Sequence, residues 1–157
     1  MNDFESFYRE TRDRCFRALL ATVRDAQEAD DLVSEAYTRA LSRWESVSAT
    51  PAPVAWVMRT ALNLHRDRWR KTIRARRLHS SNEPGSDPTV DGDPAVLEAL
   101  WALPERQRQV VALRVLAELN TQETAETLGI AAGTVTTHLH RGLSGLRERL
   151  SARQEVP

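Results

Sequence analysis

Between Arg59 and Arg77 the chain carries Arg59, Arg66, Arg68, Arg70, Lys71, Arg74, Arg76 and Arg77 against a single acid, Asp67. Seven polar positions in this run, Arg59, Asn63, Arg66, Asp67, Arg70, Arg74 and Arg77, recur every three or four residues, which places them on one face of a helix. A row of guanidinium groups at that spacing matches the phosphates of a nucleic-acid strand, while Asn63 and Asp67 have the donors and acceptors to address base edges. Trp56 and Trp69 lie close by and offer aromatic faces for stacking on unpaired bases. A solvated basic face over an ordinary core, with both tryptophans buried, accounts for the same spacing. The row alone leaves both readings open.

A second group, Thr134, Thr136, Thr137, His138 and Arg141, follows the turn-like Gly129-Ile130-Ala131-Ala132. Placed on the outer N-terminal part of a last helix, these side chains sit where a helix-turn-helix meets the major groove. A plain three- or four-helix bundle is the alternative. Asp25, Glu28, Asp30, Asp31 and Glu35 suggest a metal site or an acid/base pair, but they lack alternating His or Cys partners. Acids near a helix start are favourable there without further reason, so a solvated or protein-binding face is expected. His138 and His140 are two apart, hence on different helix faces and poor joint metal ligands. With no Gly-rich phosphate loop and no Gly-x-Ser-x-Gly elbow, neither an enzyme nor a cofactor is expected. Cys15 is the only cysteine, which rules out an intrachain disulfide and suits a buried structural thiol in a reducing compartment.

The elements that must position these groups are helical. The composition, 41% hydrophobic and 28% charged with 6% aromatic, suits a mainly helical globular protein, and no strand-like alternation of useful length occurs. Apolar residues at Ala29, Leu32, Val33, Ala36, Tyr37, Ala40, Leu41 and Trp44 mark one amphipathic helix. An earlier one runs from about Asp3 to Val23, with Phe4, Phe7, Tyr8, Cys15, Leu19 and Val23 inward. A third starts near Pro53, with Val54, Val57, Met58, Ala61, Leu62, His65, Trp69 and Ile73 as its apolar stripe. Residues 80–94 form a polar, acidic, Pro- and Gly-rich run that reads as a flexible linker. Beyond it, Asp93-Pro94, Leu103-Pro104-Glu105 and the pair Asn120 and Glu123 mark helix starts, and a last helix from about Thr134 to Leu150 turns Val135, Leu139, Leu143, Leu146 and Leu150 inward. The expected fold is all-α: two small helical domains, residues 1–79 and 95–157, joined by the linker. No apolar run spans a bilayer and the N-terminus lacks a signal-peptide pattern, so a cytoplasmic location is expected.

Two long stretches of the first half carry a resemblance. Asp25-Ala26-Gln27-Glu28-Ala29-Asp30-Asp31-Leu32-Val33-Ser34-Glu35-Ala36 is similar to a polymerase-docking helix, and Pro53 to Arg70 is similar to a segment that recognises and opens the minus-ten promoter element. In the second half, Leu103 to Arg114, Glu123 to Ile130 and Gly133-Thr134-Val135 resemble the region that binds the minus-thirty-five element. Taken together they resemble the extracytoplasmic-function (ECF) group of bacterial RNA polymerase sigma factors, which keep sigma regions two and four and direct the polymerase to promoters. That resemblance implies polymerase contacts at Asp30, Asp31, Ser34 and Glu35. It implies minus-ten contacts at Trp56, Arg59, Asn63, Arg66, Asp67, Arg70, Arg74 and Arg77, and minus-thirty-five contacts at Thr134, Thr136, Thr137, His138 and Arg141. The implied partners are RNA polymerase core enzyme, double-stranded promoter DNA and the opened minus-ten strand, with an anti-sigma factor as an optional one and no membrane insertion. In the family the loop Val47 to Ala52 captures a flipped base. Ser34 stands where the family usually has Gln, Ala131 where it has a Ser cap, and Thr136 and His138 where basic residues are frequent. Two other functions share parts of this pattern: a response-regulator-type helix-turn-helix factor, which would need an α/β first half, and a sigma-like protein that occupies polymerase without initiating.

Overall fold

The computed structural model describes residues 2–78 and 92–154, and among these all regular structure is helical. The first half contains α1 (Asn2–Val23), α2 (Ala26–Ser42), α3 (Trp44–Ser48) and α4 (Pro53–Leu78). The second contains α5 (Pro94–Trp101), α6 (Glu105–Val111), a five-residue π-turn (Ala112–Leu116), α7 (Thr121–Leu128) and α8 (Ala132–Gln154). Of the expected linker, residues 80–91 lie outside the described residues.

Local chemistry starts these helices. The Asp25 carboxylate accepts the Glu28 N–H at 3.1 Å, and Asp93 caps Ala95 with Pro94 at the first helical position. At α7, Asn120 Oδ1 accepts the Glu123 N–H at 2.8 Å while Glu123 Oε1 accepts the Asn120 N–H at 2.9 Å, a reciprocal capping box. Such caps stabilise a helix by about 1 kcal/mol each. Gly129 then ends α7 with φ 67°, a left-handed backbone at which glycine carries no Cβ penalty.

The core of the first half joins Leu19 and Leu20 of α1, Leu32, Val33 and Tyr37 of α2, Val47 of α3 and Val57 and Met58 of α4. Its one polar chain is satisfied internally: the Tyr37 hydroxyl lies 2.6 Å from Thr11 Oγ1 and donates to Cys15 Sγ at 3.4 Å. Burial pushes both the Cys15 thiol and the Tyr37 phenol above their ordinary pKa values, so both stay neutral.

The second half has a small core of its own, Val110, Ala125 and Val135. Its other buried residues, among them Leu100, Leu103, Val111, Leu113 and Leu119, belong to the same cluster as the first-half core. The halves therefore pack together, α1 against α5, α6 and the π-turn, and α4 against α7. Trp101 Nε1 donates to the Leu20 carbonyl at 3.0 Å and Arg14 pairs with Glu118 at 2.7 Å across the seam.

Three inward assignments are corrected. Leu41 is half exposed, because α2 breaks one residue later and Trp44 opens the separate helix α3. Trp69 is 52% exposed, since α4 outruns its partners: its last buried side chain is Ala61. Leu143 is 40% exposed because the inward seam of α8 passes through Gly142 instead. A Cβ on Gly142 would stand 2.6 Å from Val111 Cγ2, so only glycine lets α8 lie this close to α6. The last helix also starts at Ala132, two residues earlier than its sequence pattern indicates.

Candidate nucleic-acid and polymerase interfaces

The α4 row forms as its spacing requires. Arg59, Asn63, Arg66, Asp67, Arg70, Arg74 and Arg77 are all exposed, and Arg66 donates to Asn63 Oδ1 at 3.0 Å. Among the described residues, none of the basic side chains from Arg59 to Arg77 pairs with a carboxylate. Uncompensated guanidinium groups on one rigid helix are a surface for phosphates. Trp56 is partly buried at the start of the row. With Arg59 and the loop residues Thr50, Pro51 and Ala52 it lines a cleft of about 510 Å³ whose far wall is α7, including Glu123 and Glu126. Asn63 and Arg66 line a second cleft, of about 660 Å³, walled by α6 and the end of α7. Asp67, Arg70, Arg74 and Arg77 line neither cleft.

The polar face of α2 is held differently. Asp30 makes an ion pair with Arg12 of α1, Asp31 accepts from Gln27 at 3.1 Å, and Glu35 pairs with Arg39 at 3.1 Å. Ser34 is exposed and its carbonyl accepts the Thr38 hydroxyl. The face is thus partly neutralised from within the chain, with Asp31 and Ser34 the most open of the four. Asp25 and Glu28 are taken by other work: Asp25 caps α2, and Glu28 meets His65 Nδ1 at 2.8 Å. Among the described residues no group of three or more His, Cys, Asp or Glu could hold a metal ion.

On α8, Val135, Leu139, Gly142 and Leu146 form the inward seam, and at 3.6 residues per turn Thr137 and Arg141 fall on the opposite side with Thr134 and Thr136 on the flanks. These four are exposed, whereas His138 turns toward the seam with its Nδ1 buried and unpartnered. His140, exposed and two residues on, shares the outward face and was missed by the sequence pattern. The 3.6-residue period applied to Val135 would have found it. The threonine hydroxyls of Thr136 and Thr137 donate to the Ala132 and Gly133 carbonyls, satisfying the first turn from its own side chains.

Comparison with known proteins gives this geometry a family. Residues 7–75 match Sigma-70 region 2 and residues 94–146 match Sigma-70, region 4. The RNA polymerase sigma-E factor of Streptomyces coelicolor is 36% identical over 96% of this chain and 88% of that protein. The chain belongs to the ECF group of sigma-70 factors. The ECF RNA polymerase sigma factor SigW of Bacillus subtilis is 27% identical over 88% of this chain and 84% of its own length. In fold, this sigma factor is similar to RpoE in its co-crystal structure with the anti-sigma factor NepR from Bartonella quintana, with a TM-score of 0.83 over 96% of this chain and 98% of that one at 19% identity. CnrH in complex with the cytosolic domain of CnrY gives a TM-score of 0.64 over 95% of this chain and 88% of that one, at 21% identity.

As a sigma factor the protein acts in transcription initiation, binding RNA polymerase core enzyme and promoter DNA, within a family of DNA-binding regulatory proteins. The response-regulator alternative is not favoured: residues 2–78 are helices and turns without a strand. A protein that occupies polymerase without initiating is likewise not favoured by the relatives. No helix among the described residues is long and apolar enough to cross a membrane.

Proposed function

We propose that this sigma factor grips the polymerase with Asp30, Asp31, Ser34 and Glu35 of α2, opens the minus-ten element with α4 and reads the minus-thirty-five element with α8. The observation that carries this reading is the α4 row, seven exposed polar side chains on one face with no carboxylate paired to its arginines among the described residues. Arg59, Arg66, Arg70, Arg74 and Arg77 track the backbone, Asn63 and Asp67 meet base edges, and Trp56 supports a base drawn into the loop before it. Removing a base from its stack costs a few kcal/mol, which stacking and pocket hydrogen bonds of about 1–3 kcal/mol each offset. Thr134, Thr136, Thr137 and Arg141 face the duplex, and His138 contributes from the edge of the seam.

The halves act as separate domains, residues 1–79 and 95–157, tethered through 80–94. Because α6 and α7 wall the clefts at Trp56, Arg59, Asn63 and Arg66, a DNA strand reaches this surface once the halves part. The protein works in the cytoplasm, catalyses no reaction of its own and needs no cofactor. Since RpoE and CnrH were crystallised with NepR and with the cytosolic domain of CnrY, a protein inhibitor of that class is the natural partner of the packed form.

The test is permanganate footprinting of a cognate promoter with reconstituted holoenzyme. Asn63→Ala is expected to reduce thymine reactivity in the minus-ten element while leaving polymerase binding intact. Normal reactivity with this variant would remove Asn63 from strand opening. In the same assay, reversing charge at Asp31 and Glu35 should abolish co-purification with core enzyme with helicity unchanged.

A further inference from the structure

The larger cleft between the halves has an unusual charge arrangement. It is lined by Arg24 at the end of α1, Arg66 of α4, and Arg106 and Arg108 of α6, with Trp69 at its rim. Only two acids share it, and Glu28 is already engaged by His65. Among the described residues none of the four arginines has a carboxylate within ion-pair distance. Arg24 and Arg108 are near enough to repel: burial lowers the Arg108 pKa, Glu105 opposes that shift and Arg24 adds to it. One Arg108 terminal nitrogen donates to the Trp101 and Leu103 carbonyls at 3.3 Å, yet its Nε is buried without a partner. Arg24 itself sits at φ 67°, a conformation favouring glycine, and its guanidinium lies 5.7 Å from the Trp101 ring. Non-glycine residues held in this region cluster where a side chain has work to do.

We propose that this cleft is a binding site for a small molecule bearing a diphosphate or triphosphate group, seated between Arg24 of the first half and Arg106 and Arg108 of the second. Planar guanidinium forks converging on a concave, partly desolvated space suit several anionic oxygens borne on adjacent phosphates, and a duplex does not fit between walls that close on three sides. Trp69, half exposed at the rim, offers its face to a base, which favours a nucleotide over inorganic pyrophosphate. The site exists only while the halves are together. A ligand that touches both therefore binds the packed form alone and draws the population toward it. Its physiological effect is to oppose initiation, because the packed form walls off Asn63 and Arg66.

Isothermal titration of the full chain with GTP and, separately, with inorganic pyrophosphate tests this. One saturable site is expected, weakening as salt rises, with affinity reduced about tenfold in Arg24→Gln and in Arg106→Gln through loss of a charge-assisted contact. Both side chains are exposed or half exposed, and an unchanged thermal melt shows that the variants are folded. Tighter binding of GTP than of pyrophosphate, with the difference erased in Trp69→Ala, assigns a nucleotide; equal binding assigns the phosphate group alone. Absence of saturable binding by either probe at millimolar concentration, or binding unaltered in both arginine variants, overturns the proposal. None of these readouts involves promoter opening, so a failed minus-ten assignment and a failed anion site are distinguishable.

Discussion

The first half closes its own core: each of its four helices contributes at least one side chain that is no more than 2% exposed, from Leu19 and Leu20 through Tyr37 and Val47 to Met58. The second half keeps only Val110, Ala125 and Val135 for itself and commits Leu100, Leu103, Leu113 and Leu119 to the cluster it shares with the first. The contrast shows where stability and where adaptability reside. α1 to α4 form a platform that can stand while its partner moves, whereas α5 and the π-turn give up burial whenever the halves separate. Hydrophobic stabilisation scales with the apolar area removed from water, so the seam is a cohesive term that an open state must recover from another partner. Polymerase and promoter are the partners available to a sigma factor.

Breaking the platform should have the largest effect. Leu19→Ala, at a fully buried site, is expected to cost about 2–5 kcal/mol and to lower protection in both halves, because the cluster is continuous between them. Hydrogen exchange reads this residue by residue, and loss confined to residues 2–78 would contradict a shared core. A smaller, local effect is expected from Gly142→Ala. Its Cβ would meet Val111 Cγ2 at 2.6 Å, overpacking the contact of α6 with α8 by about 1–3 kcal/mol. Affinity for a minus-thirty-five duplex should fall while polymerase binding persists, and equal losses of both would argue that the halves are not energetically distinct. The mildest change is Trp101→Phe, which keeps a ring at the seam but deletes the hydrogen bond to the Leu20 carbonyl, at about 0.5–1.5 kcal/mol. Fluorescence energy transfer between labels on α3 and α8 should report a larger separated fraction, with the unfolding of the first half unchanged.

Most of the architecture was legible because its signals are local. Pro53, Asp93-Pro94 and the Asn120 and Glu123 pair announce helix starts within a few residues, and each is built as such. The α4 row was legible for the same reason: helical period alone assigns a face. What the period does not disclose is where a partner helix ends. Trp69 and Ile73 continue the stripe of Val57 and Met58, but the neighbouring helices stop short of Trp69, and the tryptophan is left to solvent. Leu41 and Leu143 failed on the same ground, an apolar residue beside the true seam being indistinguishable from one on it. Contacts between residues distant in sequence were invisible altogether: Trp101 finds Leu20 from 81 residues away, and Arg12 neutralises Asp30 from another helix. At the candidate interfaces, therefore, the sequence pattern identified the side chains and not their opposite walls.

The π-turn at Ala112–Leu116 bears on how this chain can change over evolutionary time. A π-turn is an α-helix holding one residue more than its ladder needs, recorded here in the Ala117 N–H reaching back five residues to the Ala112 carbonyl at 3.0 Å. Deleting one residue within it would regularise the helix and rotate everything downstream by about 100°. Leu113 and Leu119 would then no longer share a side, and the recognition helix would be aimed elsewhere. The extra residue thus acts as a phase-setting insertion, and length variation is far easier to accept in the acidic 80–91 stretch than in these five residues.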